Sequence, residues 1–270
     1  MLLLRFRVAA AIRMNFFQGK VIIITGASEG IGARLASGLR KRGARLVLAA
    51  RNEAKLRAAA GPEDLVHPGD LTQQPVRAQL IARSMERFGR IDVLINNAGR
   101  GSYFSTLETP LEEARSLFEL NFFAPFALTQ LAAPYLKQSR GSVVNVSSIA
   151  GQIPLPWLPL YSASKFALTS LTSTLRMELQ TDGVHVMAVF PGYVNTGFQD
   201  HAAGQRPPDQ VIKGKRFAVT VEECAEAIME GIEKRKRMVV TPRMGWPLVW
   251  SSRLFPAFVE ARIAGVRSGS

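Results

Sequence analysis

A serine, a tyrosine and a lysine in this 270-residue chain have the types and spacing of a proton-transfer site. Ser148 follows a strand-like run at residues 142–147, and Tyr161 and Lys165 open a helical pattern. Because positions i and i+4 share one face of a helix, the phenol and the ammonium are expected side by side. A neighbouring ammonium favours the phenolate, so we expect the Tyr161 pKa to fall from about 10 toward neutral pH. Such a tyrosine exchanges a proton with an alcohol or carbonyl oxygen.

A glycine-rich turn near the N-terminus is the second candidate site. Residues 20–25 (KVIIIT) form a short β-branched run typical of a buried parallel strand. The segment TGASEGIG follows at residues 25–32, and a helical pattern continues to residue 42. Strand, glycine turn and helix in this order are the context of the dinucleotide-binding fingerprint. The turn and the helix N-terminus are then expected to bind a pyrophosphate.

The rest of the chain alternates between strand and helix patterns. Strands are predicted at residues 20–25, 45–50, 65–67, 91–95, 142–147, 184–190 and 238–241, and helices at 29–42, 53–60, 73–88, 110–138, 161–181 and 220–236. This alternation predicts an α/β fold: a doubly wound (Rossmann-type), mostly parallel seven-stranded sheet with helices on both faces, in a single domain. We assign residues 1–18 to an N-terminal arm, 19–242 to a dinucleotide-binding catalytic domain and 243–270 to a C-terminal amphipathic tail.

These motifs, in this order, resemble the classical short-chain dehydrogenase/reductase family over residues 19–242. The resemblance rests on the glycine turn, the NNAG segment at 96–99, the Ser-Tyr-Lys spacing and the Pro-Gly pair at 191–192. It implies a catalytic tetrad of Asn121, Ser148, Tyr161 and Lys165. The candidate cofactor-binding residues are Gly26, Ser28, Gly30, Ile31, Gly32, Arg51, Asp70, Leu71, Asn97, Ala98, Gly99, Tyr161, Lys165, Pro191, Gly192, Val194 and Thr196. Among them, the resemblance places Asp70 at the adenine and Thr196 at the nicotinamide amide.

The end of the second strand bears on the choice between NADP(H) and NAD(H). NAD enzymes of this architecture usually place an acid there, which accepts a hydrogen bond from the ribose 2′-OH. Here Ala50 holds that position and Arg51 follows it. A guanidinium forms charge-assisted bonds to a 2′-phosphate, so we predict that NADP(H) is preferred, unless Arg51 is only a solvated loop charge. Glu29 stands in the glycine turn where many NADP members of the family carry Lys or Arg; its carboxylate either faces solvent or weakens the preference for NADP(H).

The connections after the strands indicate an apolar substrate. Residues 152–160 (QIPLPWLPL) either form an apolar wall or pack beneath the loop at 193–217, whose length is typical of a lid. Steroids, retinoids and lipids fit such a wall. Basic residues near the crevice keep 3-oxoacyl thioesters among the substrates; they are Arg100, Lys213, Lys215 and Arg216.

The sequence therefore predicts an NADP(H)-dependent oxidoreductase that transfers hydride between nicotinamide and a hydrophobic ketone, aldehyde or secondary alcohol. The resemblance implies that Tyr161 donates the proton and Ser148 hydrogen-bonds the same oxygen. It also implies that Lys165 binds the ribose hydroxyls and that Asn121 holds a water behind Lys165. Two alternatives are an NADP-binding redox sensor or scaffold without turnover, and dehydration or epimerisation on the same fold.

Composition excludes several other classes. The net charge is +13, but no nucleic-acid-binding motif accompanies it, so we expect no nucleic-acid partner. The single cysteine, Cys224, excludes an internal disulfide. The three histidines lack ligand spacing, so no metal site is expected; they are His67, His185 and His201.

The two ends of the chain leave alternatives open. The arm has Arg5, Arg7 and Arg13; it either precedes a natural start at Met14 or makes a weak membrane contact. In the tail, aromatic and aliphatic residues alternate with arginines, a pattern typical of an interfacial amphipathic segment or of a helix packed on its own domain or a dimer mate. We expect a cytoplasmic protein with peripheral membrane association, and a homodimer formed through the helices at 110–138 and 161–181.

Overall fold

The computed structural model describes residues 15–199, 202–204 and 218–268. Its strands are β1 (Val21–Thr25), β2 (Arg45–Ala50), β3 (Leu65–Pro68), β4 (Val93–Asn96), β5 (Ser102–Tyr103), β6 (Ser142–Val146), β7 (His185–Pro191), β8 (Ala203–Gly204) and β9 (Met238–Thr241). Seven of them form one sheet in the order β3-β2-β1-β4-β6-β7-β9, and every pair in it is parallel. The predicted Rossmann-type fold is confirmed.

Helices cover both faces of this sheet. They are α1 (Gly30–Lys41), α2 (Glu53–Ala59), α3 (Gln74–Phe88), α4 (Leu111–Phe118), α5 (Ala124–Ser139), α6 (Pro159–Glu178), α7 (Val221–Glu233), α8 (Gly245–Leu254) and α9 (Pro256–Ser268). Side chains alternate along a strand, so Ile22 and Ile24 pack with α1 and α7, whereas Val21 and Ile23 pack with α3 and α5. Cys224 is buried in the first of these cores. Both faces are apolar because both are covered.

The strand order reverses direction between β1 and β4, and a hydroxyl joins the ends of these two strands. Thr25 Oγ1 accepts from the backbone N–H groups of Asn97 (2.9 Å) and Ala98 (3.0 Å), and donates to the Ile95 carbonyl (3.3 Å). The Asn97 side chain donates in return to the Thr25 carbonyl at 2.9 Å. In doubly wound sheets, ligands bind beyond the carboxyl ends of the strands at such a switch point.

The predicted helix at 110–138 is wrong as a continuous α-helix. A π-helical turn, Glu119–Phe123, separates α4 from α5. Its extra residue per turn has no signature in the apolar periodicity, so sequence patterns do not reveal it. The short pairing of β5 with β8 was not predicted either, since two-residue strands carry no periodicity.

Residues near both predicted domain boundaries take part in the protein's packing. Phe17, assigned to the arm, is 1% exposed and belongs to the core beside Leu39. The remainder of the arm, residues 1–14, lies outside the described part of the chain. The tail forms α8 and α9, and Val249 and Val259 of these helices are buried. No helix among the described residues has the length and apolar content needed to cross a membrane.

Candidate active site

One cavity of about 880 Å³ runs along the carboxyl ends of the strands. It brings together all but two of the sequence-predicted site residues, which come from seven separate segments: Gly26, Ser28, Gly30, Ile31, Arg51, Asp70, Leu71, Asn97, Ala98, Gly99, Ser148, Tyr161, Lys165, Pro191, Gly192, Val194 and Thr196. Gly32 and Asn121 are the two that do not line it. Both lie directly behind its wall, where each controls the position of a lining residue.

The glycine turn after β1 leaves no room for side chains. Gly26 has φ +64°, and a Cβ there would lie 2.9 Å from the Ala98 Cα, so neither the backbone conformation nor the space suits an L side chain. A Cβ at Gly32 would lie 2.1 Å from the Gly26 carbonyl oxygen, which explains why Gly32 packs behind the turn. No side chain caps the N-terminus of α1. The backbone is therefore exposed to the cavity as an anion-binding concavity.

The Tyr161 phenol lies in the middle of the cavity wall and is 7% exposed. It hydrogen-bonds the Ser148 hydroxyl, and its ring meets the Phe198 ring edge-on at 5.5 Å between centroids. Ser148 is held in turn by the Ala150 N–H, at 3.1 Å from its Oγ. Burial raises the pKa of the Tyr161 phenol to about 12, and the Ser148 hydrogen bond offsets only part of this.

The prediction of a lowered Tyr161 pKa is therefore wrong for this arrangement. The Lys165 ammonium donates to the Val146 carbonyl at 2.9 Å and lies 5.7 Å from the centroid of the Tyr161 ring. Burial lowers the pKa of Lys165 to about 8, because a buried ammonium loses its hydration. The sequence places the two groups on one helix face but does not reveal how deeply both are buried. At neutral pH the phenol is protonated, which is the state of a proton donor.

Asn121 lies within the π-helical turn and is fully buried. Its carboxamide clamps the backbone of Arg100: Oδ1 accepts from the Arg100 N–H and Nδ2 donates to the Arg100 carbonyl, both at 3.0 Å. The same Nδ2 donates to Ser164 Oγ at 3.1 Å. A Cβ at Gly99 would lie 3.1 Å from Asn121 Oδ1 and 3.3 Å from Lys165 Nζ. The asparagine and the lysine therefore flank the same glycine.

The other end of the cavity is apolar and aromatic. It is lined by Tyr103, Ile149, Leu155, Trp157, Leu158, Phe198 and Leu248. The predicted wall at 152–160 is thus in place, whereas Tyr103, Phe198 and Leu248 were missed, because nothing in their local sequence marks proximity to Tyr161. Lys55, which also lines the cavity, was missed because nothing in its local sequence marks proximity to the glycine turn. The lid residues Lys213, Lys215 and Arg216, and His201, lie outside the described residues.

Arg100 lines the cavity but does not present a free charge. Its guanidinium makes two bonds to the Glu113 carboxylate, at 2.6 and 2.9 Å, and the two side chains are 14% and 17% exposed. The pair lowers the pKa of Glu113 against the effect of its burial. Arg100 therefore forms a neutral, bidentate pair rather than a cation for an acidic substrate.

Comparison with known proteins gives one family. The family model described as "short chain dehydrogenase" matches residues 20–206. The chain is 34% identical over 258 residues to the Arabidopsis thaliana protein named 11-beta-hydroxysteroid dehydrogenase-like 4A, covering 90% of this chain and 83% of the relative. It is also 34% identical over 257 residues to 11-beta-hydroxysteroid dehydrogenase A of Sesamum indicum, covering 90% of this chain and 74% of that protein.

Solved structures show the same architecture. A short chain dehydrogenase from Burkholderia cenocepacia J2315 in complex with NADP is 29% identical, with a TM-score of 0.77 over 92% of this chain and 98% of that chain. A short chain dehydrogenase/reductase from Burkholderia phymatum in complex with NAD is 26% identical, with a TM-score of 0.80 over 91% and 96%. These two relatives hold different nicotinamide cofactors.

The buried ammonium generates a prediction about stability and pH. The folded-state pKa of Lys165, about 8, lies below its ordinary value of 10.5, so the unfolded chain binds more protons between these pH values. Burial of Lys165 should therefore destabilise the protein below pH 8 by roughly 1–3 kcal/mol, and this cost should vanish as pH rises toward 10.5. Urea unfolding of the unmodified protein and of Lys165→Met, without cofactor, measures the difference. The unmodified protein should gain stability relative to the variant across this window; parallel pH profiles would contradict the buried ammonium.

Proposed function

Because this chain belongs to the short-chain dehydrogenase/reductase family, we propose that it is an NADP(H)-dependent oxidoreductase of hydrophobic ketones, aldehydes or secondary alcohols. The family comprises oxidoreductases that act on CH–OH and C=O groups with a nicotinamide cofactor. One observation carries the proposal: a single cavity joins the exposed backbone of the glycine turn to the Ser148, Tyr161 and Lys165 side chains. Binding and proton transfer can therefore act on one bound pair of molecules.

The cavity residues fit a dinucleotide along the whole length of the strand ends. The turn at Gly26 and Gly30, where an added Cβ has no space or no allowed conformation, provides close backbone approach for a pyrophosphate. Asp70 and Leu71 line the cavity and would contact the adenine, whereas Pro191, Gly192, Val194 and Thr196 line it where the nicotinamide would lie. When bound, the nicotinamide supplies or accepts the hydride.

The chain's own residues perform the proton chemistry. In the direction of reduction, the protonated Tyr161 donates its proton to the substrate oxygen as negative charge develops there. Ser148, already hydrogen-bonded to that phenol, donates to the same oxygen. Lys165 lies one helical turn along and would bind the ribose hydroxyls through its ammonium. Asn121, adjacent to Lys165 across Gly99, would hold a water that resupplies the proton.

The preference for NADP(H) rests on Arg51. It lines the cavity directly after Ala50 at the end of β2, the place where an NAD enzyme carries an acid. The absence of a carboxylate at residue 50 removes the usual partner of a ribose 2′-OH, and the guanidinium attracts a 2′-phosphate.

The aromatic end of the cavity favours a ring ketone or ring alcohol of the steroid type. Its walls are flat or aliphatic side chains, and the relatives named above are called 11-beta-hydroxysteroid dehydrogenases. A retinoid or another lipid alcohol fits the same walls. A 3-oxoacyl thioester is less well matched, because the Arg100 guanidinium is neutralised by Glu113.

We further propose that two copies associate through α5 and α6. Four large apolar side chains of the segment before α5 and of these helices are exposed: Phe123, Leu131, Phe166 and Met177. Burying them between two identical surfaces removes apolar area from water. Light scattering of the purified protein should give the mass of a dimer, and a monomer at micromolar concentration would contradict the assignment.

The C-terminal helices form a second apolar surface, for which we propose an anionic lipid bilayer as the partner of a cytoplasmic protein. Met244, Trp250, Leu254, Phe255 and Phe258 are 55–74% exposed. Exposed arginines at 243, 253 and 262 flank them, against one acid at 260. Apolar side chains beside arginines suit the boundary between headgroups and acyl chains, whereas a second copy would set like charges against each other. Leu248 of the same helices lines the cavity, so an apolar substrate would have a short path from the lipid.

The first test concerns the phenol. Tyr161→Phe keeps the ring and removes the proton, so turnover of the best ketone in a panel of ketosteroids and aromatic ketones should fall at least about a hundredfold. NADPH should still bind, as measured by titration calorimetry. Tyr135→Phe, on the distant part of α5, is the control and should retain turnover. Near-normal turnover of Tyr161→Phe would exclude the proposed proton donor.

The second test concerns the cofactor. NADPH should be favoured over NADH by about 1–3 kcal/mol, the usual contribution of hydrogen bonds to charged groups. Arg51→Ala should remove most of this difference by weakening NADPH binding. Arg57→Ala, which disrupts a pair with Glu53 outside the cavity, should leave the preference intact. Equal affinity of the unmodified protein for both cofactors would overturn the NADP(H) assignment.

The third test concerns the tail. Since Val249 and Val259 are part of the protein's packing, point variants are better suited than truncation. The triple variant Trp250→Ser, Phe255→Ser and Phe258→Ser should no longer sediment with phosphatidylglycerol vesicles. The control Leu107→Ser, which replaces an exposed leucine elsewhere, should still sediment. High salt should release the unmodified protein. If the triple variant instead changes the particle mass and leaves vesicle binding intact, the surface is a protein interface.

A further inference from the structure

An ion pair at the adenosine end of the cavity is not explained by the proposed chemistry. Lys55 Nζ lies 2.8 Å from Glu29 Oε2, and both residues line the cavity together with Arg51. Glu29 belongs to the glycine turn and Lys55 to the first turn of α2. The side chains are 41% and 52% exposed, so the pair by itself contributes little to stability.

The local fold determines where this lysine lies. Asn52 is the N-cap of α2, and its Oδ1 accepts from the Lys55 N–H at 3.0 Å. The cap fixes the Lys55 backbone in the first turn of α2, three residues after Asn52. From there the Lys55 side chain extends to Glu29 in the glycine turn. Two cations of different segments, Arg51 and Lys55, therefore border one end of the cavity.

The pair also resolves the departure noted at Glu29. An unpaired carboxylate in the glycine turn would repel a nearby phosphate. In the structure the carboxylate is bonded to an ammonium, so its charge is compensated where a phosphate would approach. A phosphate dianion at this end would then meet two cations and one acid, Arg51, Lys55 and Glu29, which together carry a net positive charge.

We propose that Lys55 is a second ligand, with Arg51, for the 2′-phosphate of NADP(H), and that Glu29 holds the Lys55 ammonium at the cavity wall. This inference rests on the proposed NADP(H) function and names a residue that determines its specificity. The ammonium contributes a charge-assisted contact to the phosphate that a ribose 2′-OH does not reproduce. Lys55 should therefore act on NADP(H) and not on NAD(H).

Titration calorimetry of the full chain with four probes tests the proposal: NADP⁺, NAD⁺, 2′,5′-ADP and 5′-AMP. Lys55→Met should weaken NADP⁺ and 2′,5′-ADP about tenfold and leave NAD⁺ and 5′-AMP within about twofold. The matched control is Lys137→Met, which breaks a similarly exposed pair with Asp182 (2.9 Å) away from the cavity and should change none of the four.

The effect of Glu29→Gln on NADP⁺ affinity should have opposite signs in the protein with Lys55 and in the Lys55→Met protein. With Lys55 present, Glu29→Gln removes the tether and should weaken NADP⁺ by about two- to threefold. In the Lys55→Met protein the Glu29 carboxylate no longer bonds an ammonium at residue 55 and repels the phosphate, so Glu29→Gln should strengthen NADP⁺ binding by a similar factor. Strengthening in both backgrounds would show that Glu29 only repels, and would overturn the tether.

The remaining outcomes separate this inference from the function on which it rests. If the unmodified protein prefers NADP⁺ and Lys55→Met keeps that preference, Lys55 is not a ligand and the NADP(H) assignment stands on Arg51. If Lys55→Met weakens all four probes, its role is structural and the inference fails. Equal affinity of the unmodified protein for NADP⁺ and NAD⁺ would overturn both.

Discussion

The junction between β1 and β4 is the constraint on which the site depends. These strands are neighbours in the sheet but distant in sequence, and the Thr25 hydroxyl joins their ends by accepting from two backbone N–H groups and donating to Ile95. The junction brings Ala98 so close to Gly26 that a Cβ at residue 26 would lie 2.9 Å from its Cα. The turn therefore requires glycine for both space and a φ of +64°. Gly26 and Ala98 both line the cavity, which extends from this contact along the ends of β2 and β3 on one side and of β6 and β7 on the other.

Burial is the second determinant, and it acts on the two catalytic candidates in opposite directions. It raises the pKa of Tyr161 to about 12 and lowers that of Lys165 to about 8. Both shifts favour the uncharged form, because a low-dielectric wall solvates neither phenolate nor ammonium well. Burial thus keeps the phenol protonated, which is the state that the proposed proton donation requires, and the Lys165 ammonium donates to the Val146 carbonyl. The two apolar cores on the faces of the sheet supply folding stability that offsets the unfavourable burial of this ammonium.

The cavity is polarised along its length. Arg51, Lys55 and Glu29 line it at the proposed adenosine end, whereas Trp157, Phe198 and Leu248 line its apolar end. Arg100 also lines the cavity, and its pairing with Glu113 compensates its charge there. Helix α8, whose Leu248 lines this apolar end, carries the exposed side chains Trp250 and Leu254. The proposed cofactor and an apolar substrate would therefore occupy opposite ends of one cavity.

The amino-acid sequence by itself determined the architecture and most of the site. Alternating apolar runs predicted all seven strands of the sheet, since buried parallel strands and amphipathic helices leave strong periodic patterns. The glycine turn and the spacing from Ser148 to Lys165 predicted residues that the structure gathers around one cavity. Only the tertiary structure decided the π-turn at Asn121, the pKa of Tyr161, the neutralisation of Arg100 and the place of Lys55 beside Glu29. Each of these depends on burial or on contact between segments distant in sequence. Local sequence patterns predict which face of a helix or strand is apolar. They do not predict which charged group or carbonyl of a distant segment will contact that face.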